Sequence, residues 1–118
     1  MDIHIKRIYE NVDPSDGKCI LVDRLWSRGI SKENANLDLW LKEVAPSTEL
    51  RKWFHAATPD HWEEFKQRYL EELEINPAVK ELQEIVSRYK VTLFYSAKDV
   101  QNNHAIILKE YLLSKNSK

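Results

Sequence analysis

The chain has little of the residues that mark several classes of protein. Its single cysteine, Cys19, excludes an intrachain disulfide framework and a site built on paired cysteines, which fits a reducing compartment. Two glycines and four prolines in 118 residues argue against long disordered or low-complexity tracts. No apolar run approaches the length of a signal peptide core or a membrane span. We therefore expect a cytoplasmic protein that has no membrane partner.

The chain also lacks a strong charge of either sign. Eighteen basic and 19 acidic residues leave a net charge of -1, with a pI near 6.4. This balance argues against a protein whose main partner is the nucleic-acid backbone, although it allows a local basic patch. Nucleic acid is therefore an allowed but not a favoured partner. With 42% hydrophobic residues, the chain is long enough to bury one core, and we predict a single domain over residues 1–118.

What is present predicts an α/β fold. Alternation at Ile3 and Ile5, and apolar runs at residues 18–22 and 91–95, indicate three strands. Helical spacing predicts about five helices, near residues 37–44, 50–54, 62–73, 79–89 and 101–113. Strands separated by helices favour a small, mostly parallel three-stranded sheet in a Rossmann-like three-layer arrangement, with helices on both faces. The first loop is short for a parallel crossover, which leaves the direction of the first strand open. The exposed sheet edges allow a homodimer.

Charged clusters directly follow two of the predicted strands. One occupies residues 23–29 and the other residues 96–99, after which Asn103 and His104 open the last helix. Ligands of open α/β sheets bind beyond the carboxyl ends of the strands, so these clusters are expected to meet on one rim. The sequence therefore predicts a site there for a small anionic or nucleotide-like ligand.

Basic side chains are the natural ligands of such an anion. Arg28, Arg51 and Lys98 would hold it, because guanidinium and ammonium groups donate to carboxylate and phosphate, and the helix start near Gln101 supplies free amides. Asp23 and Arg24 would fix the loop. The other residues predicted to line the site are Trp26, Tyr95, Asp99 and Asn103. The structural alternative is that Asp23–Arg24 and Lys98–Asp99 are ion pairs that tie loops together without a ligand.

Two histidines are suited to proton transfer near these elements. His55 and His104 would support hydrolysis or transfer, since imidazole titrates close to physiological pH. A histidine that caps or bridges inside a fold is the structural alternative for each. A further alternative is a non-catalytic module that binds nucleic acid or protein. The sequence has no common metal-ligand spacing and no glycine-rich phosphate loop, so we predict neither a metal nor a cofactor.

Four ordered blocks of the sequence carry a family resemblance. They occupy residues 20–29, 45–55, 92–99 and 103–105, within a match that runs from residue 6 to residue 112. These blocks resemble the YeaO-like family of small bacterial proteins, a domain-of-unknown-function group. The resemblance implies no particular reaction, because no activity is established for that family.

The chain departs from the family pattern at two places. Ser27 stands where the family usually has proline, and a proline would stiffen the loop that carries Arg24 and Arg28. More distant members of the wider group resemble one another in having a cysteine and an arginine near the final strand-to-helix turn. Residues 95–99 of this chain contain no cysteine. The resemblance therefore implies no thiol chemistry here.

Overall fold

A parallel sheet organises the protein. The computed structural model describes residues 2–10, 12–31, 37–56 and 61–116, and these form four strands in the spatial order β1-β4-β2-β3. The strands are β1 (Ile3–Arg7), β2 (Lys18–Leu21), β3 (Leu39–Trp40) and β4 (Val91–Tyr95). β4 lies in the centre and pairs in parallel with both β1 and β2, so the first strand is parallel to the others. Its unbroken apolar sequence fits this position, because all five residues are buried.

All the α-helices in the described part of the chain pack on one face of this sheet. Their apolar positions share one buried cluster with Ile20 and Leu93 of the strands. Short 3-10 turns occur at Pro14–Asp16 and Lys42–Val44. No helix in the described ranges is long and apolar enough to cross a membrane. The helices are α1 (Thr48–Ala56), α2 (Trp62–Ile75), α3 (Ala78–Arg88) and α4 (His104–Asn116).

Chain connections rather than helices cover the other face. A second cluster there joins Cys19, Leu21 and Phe94 to side chains from the β2–β3 connection, among them Trp26. The β1–β2 connection adds a hydrogen bond from the Thr92 hydroxyl to the carbonyl of residue 16, at 2.8 Å. The predicted three-layer arrangement with helices on both faces is therefore wrong for the residues that the structure describes.

The count of elements also differs from the prediction, because one predicted helix is a strand. The segment around Leu39 has helical apolar spacing, yet it pairs with the open side of β2. Asp38 donates its N–H to the Cys19 carbonyl at 2.8 Å, and its carboxylate accepts the Cys19 N–H at 2.8 Å. Pairing with an unfilled sheet edge outweighs local periodicity. The described chain thus has four strands and four α-helices, against the predicted three strands and about five helices.

Candidate functional site

The carboxyl edge of the sheet brings together the ends of β2 and β4 and the start of α4. Asp23 follows β2, Ser96 follows β4, and His104 is the first residue of α4. Because the strands are parallel, their ends meet at one edge, as predicted. The candidate site is built around this junction.

Asp23 is the centre of a buried polar cluster, which we call the Asp23 cluster (Asp23, Ser96 and His104). Its Oδ2 accepts the Ser96 N–H at 2.9 Å and the Ser96 hydroxyl at 2.7 Å. Its Oδ1 lies 3.2 Å from His104 Nε2, which also lies 3.0 Å from the Val22 carbonyl oxygen. Asp23 is only 8% exposed. One carboxylate therefore joins two strand ends to a helix start.

These contacts fix the chemical state of the cluster. Both neighbours of His104 Nε2 are acceptors, so this nitrogen carries a hydrogen, which it donates to the Val22 carbonyl. Its contact with Asp23 Oδ1 is an ion-pair contact, since that buried oxygen has no hydrogen-bond partner in the described structure. Burial by itself would raise the pKa of Asp23. The close contact and charge of His104, together with the two hydrogen bonds from Ser96, outweigh burial and lower that pKa. Asp23 is thus held as a carboxylate.

The Asp23 cluster contains the residue types of a catalytic triad in an order that does not activate the serine. In a triad the histidine lies between the serine and the carboxylate and takes the serine proton. Here Asp23 lies between Ser96 and His104, and the Ser96 hydroxyl donates directly to the carboxylate. A carboxylate with a lowered pKa is a weak general base. The arrangement therefore fits a structural role for Ser96, in which it links the end of β4 to Asp23, better than a role as a nucleophile.

Two arginines near the edge bind backbone carbonyls. Arg24 donates from Nε to the Pro46 carbonyl and from Nη2 to the Ala45 carbonyl, each at 3.1 Å. Arg7 donates from Nε to the Ala97 carbonyl at 2.9 Å and from Nη2 to the carbonyl of residue 96 at 3.2 Å. Both guanidinium groups therefore hold loops. No Asp23–Arg24 ion pair is found among the residues that the structure describes.

The start of α4 is closed by the protein's own side chains. Asp99 Oδ1 accepts the N–H groups of Gln101 and Asn102, both at 2.9 Å. Asn103, only 3% exposed, accepts the Ile106 N–H through Oδ1 at 3.1 Å and donates to the Asp99 carbonyl at 2.9 Å. The hydrogen bonds from the backbone N–H groups of Asn102 and Gln101 lower the pKa of Asp99. This capping also explains why α4 begins at His104 rather than near Gln101.

Two predicted aromatic site residues are packed inside the protein. Trp26 donates from Nε1 to the Ile30 carbonyl at 2.6 Å and meets Trp40 edge-to-face, with 5.3 Å between ring centroids. Tyr95 is 3% exposed, and burial raises the pKa of its hydroxyl. Both lie at the predicted edge, but most of their surface contacts protein.

The three predicted anion ligands differ from all these groups. Arg28 and Lys98 are exposed and Arg51 is half-buried, and within the described ranges their side chains make no recorded hydrogen bond or ion pair. The turn that carries Arg28 is tied to the end of β1, since the Tyr9 hydroxyl donates to the Arg28 carbonyl at 3.1 Å. No recorded contact in the described chain joins the three cations to one another. Lys98 likewise forms no ion pair with Asp99.

Arg51 and His55 lie together in an open groove beside α1, which we call the α1 groove. It has a volume of about 530 Å³. Leu25, from the loop after β2, forms its other wall. His104 does not line the groove, so the two predicted proton-transfer histidines lie in different places. The described residues that line it are Leu25, Thr48, Arg51, Lys52, His55 and Ala56.

Sequence reasoning gave no site role to Arg7 and did not place Ser96 beside Asp23. Ser96 directly follows a strand, a signal that could have placed it at the edge. Arg7 carries no such signal, because it looks like an outward residue of an edge strand. Ser27 is buried, and its hydroxyl has no hydrogen-bond partner in the described structure. A proline, as in the resemblance, would leave no such unpaired hydroxyl. The described residues contain no group of three or more His, Cys, Asp or Glu that could hold a metal.

Comparisons with known proteins extend the family resemblance to the whole chain. A family model described as the inactive DUF488-N3 subclade matches residues 2–118. YeaO of Escherichia coli is 47% identical over 115 residues, which cover 97% of this chain and 99% of that protein. An uncharacterised protein of Mycobacterium tuberculosis is 41% identical over 110 residues, which cover 93% and 92% of the two chains. No solved structure matches the chain significantly. The chain therefore belongs to the DUF488-N3 family, in the subclade described as inactive, and the YeaO-like resemblance of its motifs is confirmed.

Proposed function

We propose that this protein is a non-catalytic binding module that recognises an anionic group at the carboxyl edge of its sheet. The observation that carries the proposal is a division among the polar side chains of that edge. Ser96 and His104 both contact Asp23, whereas Arg28 and Lys98 have no side-chain partner in the described structure. Groups already bonded within the fold stabilise it, and cations left in solvent are available to a ligand.

The available cations have the chemistry that an anion needs. Arg28 and Arg51 each present a planar set of N–H donors that suits two-point binding to phosphate or carboxylate. Lys98 adds a flexible ammonium group that follows the central strand. The amides at the start of α4 contribute less, since Asp99 already accepts two of them. Binding would depend on side chains and would weaken as salt is added.

The absence of turnover is the second half of the proposal. In the part of the chain that the structure describes, the Ser96 hydroxyl donates to Asp23 and contacts no histidine that could take its proton. Residues 95–99 contain no thiol that could act as a nucleophile. The subclade's description as inactive agrees with this.

A second candidate keeps a reaction at the α1 groove. Arg51 and His55 line the same groove, so one could bind an anion while the other moves a proton. This hypothesis predicts turnover of a phosphate ester with a pH–rate inflection that is lost in His55→Ala. Turnover lost instead in His104→Ala would point to the Asp23 cluster.

The proposal predicts a ligand response confined to the carboxyl edge. We would titrate the labelled protein with inorganic phosphate, a mononucleotide and a short oligonucleotide, and follow the amide resonances by two-dimensional NMR. The amides of residues 24–29 and 96–104 should shift, and Arg28→Ala or Lys98→Ala should weaken the response about twofold to fivefold. Lys80→Ala on α3 removes an exposed lysine distant in the chain and should leave the response unchanged.

Three results would contradict this proposal. Shifts spread evenly over all exposed lysines would indicate non-specific screening. Shifts that persist unchanged in Arg28→Ala and Lys98→Ala would exclude those side chains as ligands. Release of phosphate from p-nitrophenyl phosphate or from the nucleotide would contradict the non-catalytic half and favour the second candidate.

A further inference from the structure

We infer that the α1 groove is a docking site for a short acidic peptide segment of a partner protein, with an apolar side chain of that segment covering Leu25. This inference rests on the proposed function, because Arg51 belongs to the anion-binding set. It adds the class of partner and the place where that partner binds.

Leu25 is an exposed residue in a loop whose neighbouring residues are restrained by hydrogen bonds. It is 65% exposed, although it is a large apolar residue. Before it in the chain, Asp23 is buried and bonded to Ser96, and Arg24 is bonded to two backbone carbonyls. After it, Trp26 donates from Nε1 to the Ile30 carbonyl. A single exposed leucine is ordinary, but one that restrained neighbours hold beside a groove is a ready contact for an apolar side chain.

The groove side of α1 carries two cations and a histidine, and Glu49, the one acidic residue of this helix, is not among the residues that line the groove. One side of α1 packs into the core through Leu50, Trp53 and Phe54. The other side lines the groove with Arg51, Lys52 and His55. Within the described residues none of the three forms an ion pair. None of the described residues that line the groove is acidic. The groove therefore presents two permanent cations, a histidine and an apolar wall.

Several cations on the other helices are paired with acids, which sets α1 apart. Arg68 pairs with Glu64 on α2, Arg88 pairs with Glu84 on α3, and Lys115 of α4 pairs with Glu74. Surface pairs of this kind neutralise their own charge, so an incoming carboxylate gains little from them. The unpaired set on α1 is the surface that complements an acidic chain.

A peptide fits these features better than other anions do. A free phosphate would satisfy the cations and leave Leu25 uncovered. A long nucleic acid is disfavoured by the net charge of -1. The half-buried Trp53 of α1 offers no open ring for a base, because the Arg68 guanidinium carbon lies over it, 4.3 Å from the ring centroid. A segment with carboxylates around a leucine can use both the charge and the apolar wall.

The test compares matched short peptides by fluorescence anisotropy. The first contains glutamate and aspartate around one leucine, the second replaces that leucine by serine, and the third replaces every acid by lysine. The first should bind with the highest affinity, and loss of its leucine should cost roughly tenfold, the effect of covering much of one leucine side chain. Amide shifts should map to residues 24–26 and 48–56.

Variants of the protein assign the effect to the groove. Arg51→Glu with Lys52→Glu should weaken the first peptide about tenfold or more, because two attractions become repulsions. Leu25→Ser should weaken the first peptide but not the second. Lys80→Glu changes an exposed cation on α3 and should have little effect. Circular dichroism and thermal melting of each variant establish that it is folded.

The outcomes separate this inference from the proposed function. If phosphate shifts residues 24–29 and 96–104 but the acidic peptide does not bind, the docking inference is wrong and the proposed function stands. If neither binds, both are wrong. Equal affinity for the acidic and basic peptides, or binding to anionic lipid vesicles that requires Leu25 without binding to the peptide, would also overturn the inference.

Discussion

Asp23 shows how one side chain can set the geometry of a whole edge. Its carboxylate meets donors from Ser96, which is 73 positions away in the chain, and His104, which starts another element. Each donor belongs to a different segment, so the carboxylate orders the end of β2, the end of β4 and the start of α4 together. Buried hydrogen bonds to a charged group are costly to break, because the polar groups left behind lose their partner and have no water to replace it.

Replacing Asp23 by asparagine should destabilise the fold. An amide has one accepting oxygen, so its NH₂ group would face a donor of Ser96 or His104. We expect the free energy of unfolding at neutral pH to fall by about 2–4 kcal/mol in Asp23→Asn, measured by urea denaturation. Glu63→Gln, an exposed control on α2, should change it by less than about 0.5 kcal/mol. Equal stability of the two variants would contradict a role for the Asp23 cluster.

The same carboxylate predicts a dependence of stability on pH. The folded pKa of Asp23 is lower than its ordinary value of 3.8, so its ionisation stabilises the fold above that value. This contribution should be lost as the pH falls below about 3.8 through the folded pKa. Unfolding free energies measured from neutral to acidic pH should therefore fall less steeply in Asp23→Asn than in the parent protein. Parallel curves would show that another carboxylate causes the acid loss.

At the scale of elements, the start of β2 depends on a close backbone approach. Gly17 has φ of +70°, and a Cβ at this position would lie 2.4 Å from the Lys90 carbonyl oxygen. That oxygen also accepts the Lys18 N–H at 2.9 Å. Glycine therefore lets the short β1–β2 connection enter the sheet beside the turn before β4.

A matched pair of alanine variants separates this contact from backbone strain. Gly29 has a similar φ of +80°, but a Cβ there would meet nothing within 4 Å. The free energy of unfolding of Gly29→Ala should therefore fall by about 1–2 kcal/mol, the cost of an alanine with a left-handed backbone. The free energy of unfolding of Gly17→Ala should fall further, by about 3 kcal/mol or more in total, because the new Cβ also clashes with the Lys90 carbonyl. Chemical denaturation of both proteins measures the difference, and equal losses would contradict the close approach.

At the scale of the whole molecule, the helices that the structure describes pack on one face of the sheet only. We expect the strands of this sheet to differ in how easily they open. The helices cover one face, the connections cover the other, and the two-residue β3 is added at the edge. Opening β3 exposes the half-buried Leu39 and Trp40, whereas separating β2 from β4 exposes the buried residues of both clusters. Hydrogen exchange reports such differences, because an amide exchanges when its own segment opens.

The amides of Asp38 and Leu41, which flank β3 and bond it to β2, should therefore exchange faster than those beside the central strand. The Val22 N–H donates to the Phe94 carbonyl at 3.0 Å and should exchange only on global unfolding. The Asp38 and Leu41 N–H groups donate to β2 carbonyls at 2.8 and 3.0 Å and should be protected at least about tenfold less. NMR-detected exchange at neutral pH measures all three. Equal protection would show that β3 unfolds together with the core.

The sequence by itself determined the features that depend on short-range pattern. Apolar residues at helical spacing predicted α1, α2 and α3, and the unbroken apolar run predicted β4, because one period positions the side chains of one element. The strand-end rule predicted that Asp23 and Lys98 lie at one edge. Side-chain chemistry predicted Arg28, Arg51 and Lys98 as anion ligands, which stays a prediction.

Only the tertiary structure decided which groups bind one another. β3 forms because the side of β2 was unfilled, and the same apolar spacing would otherwise favour a helix. The direction of β1, the packing of all described helices on one face, and the union of Asp23 with Ser96 and His104 each depend on segments far apart in the chain. Periodicity reports which side of an element is apolar, but it carries no information on the partner that covers that side. The difference between Arg24, which binds carbonyls, and Arg28, which faces solvent, has the same origin.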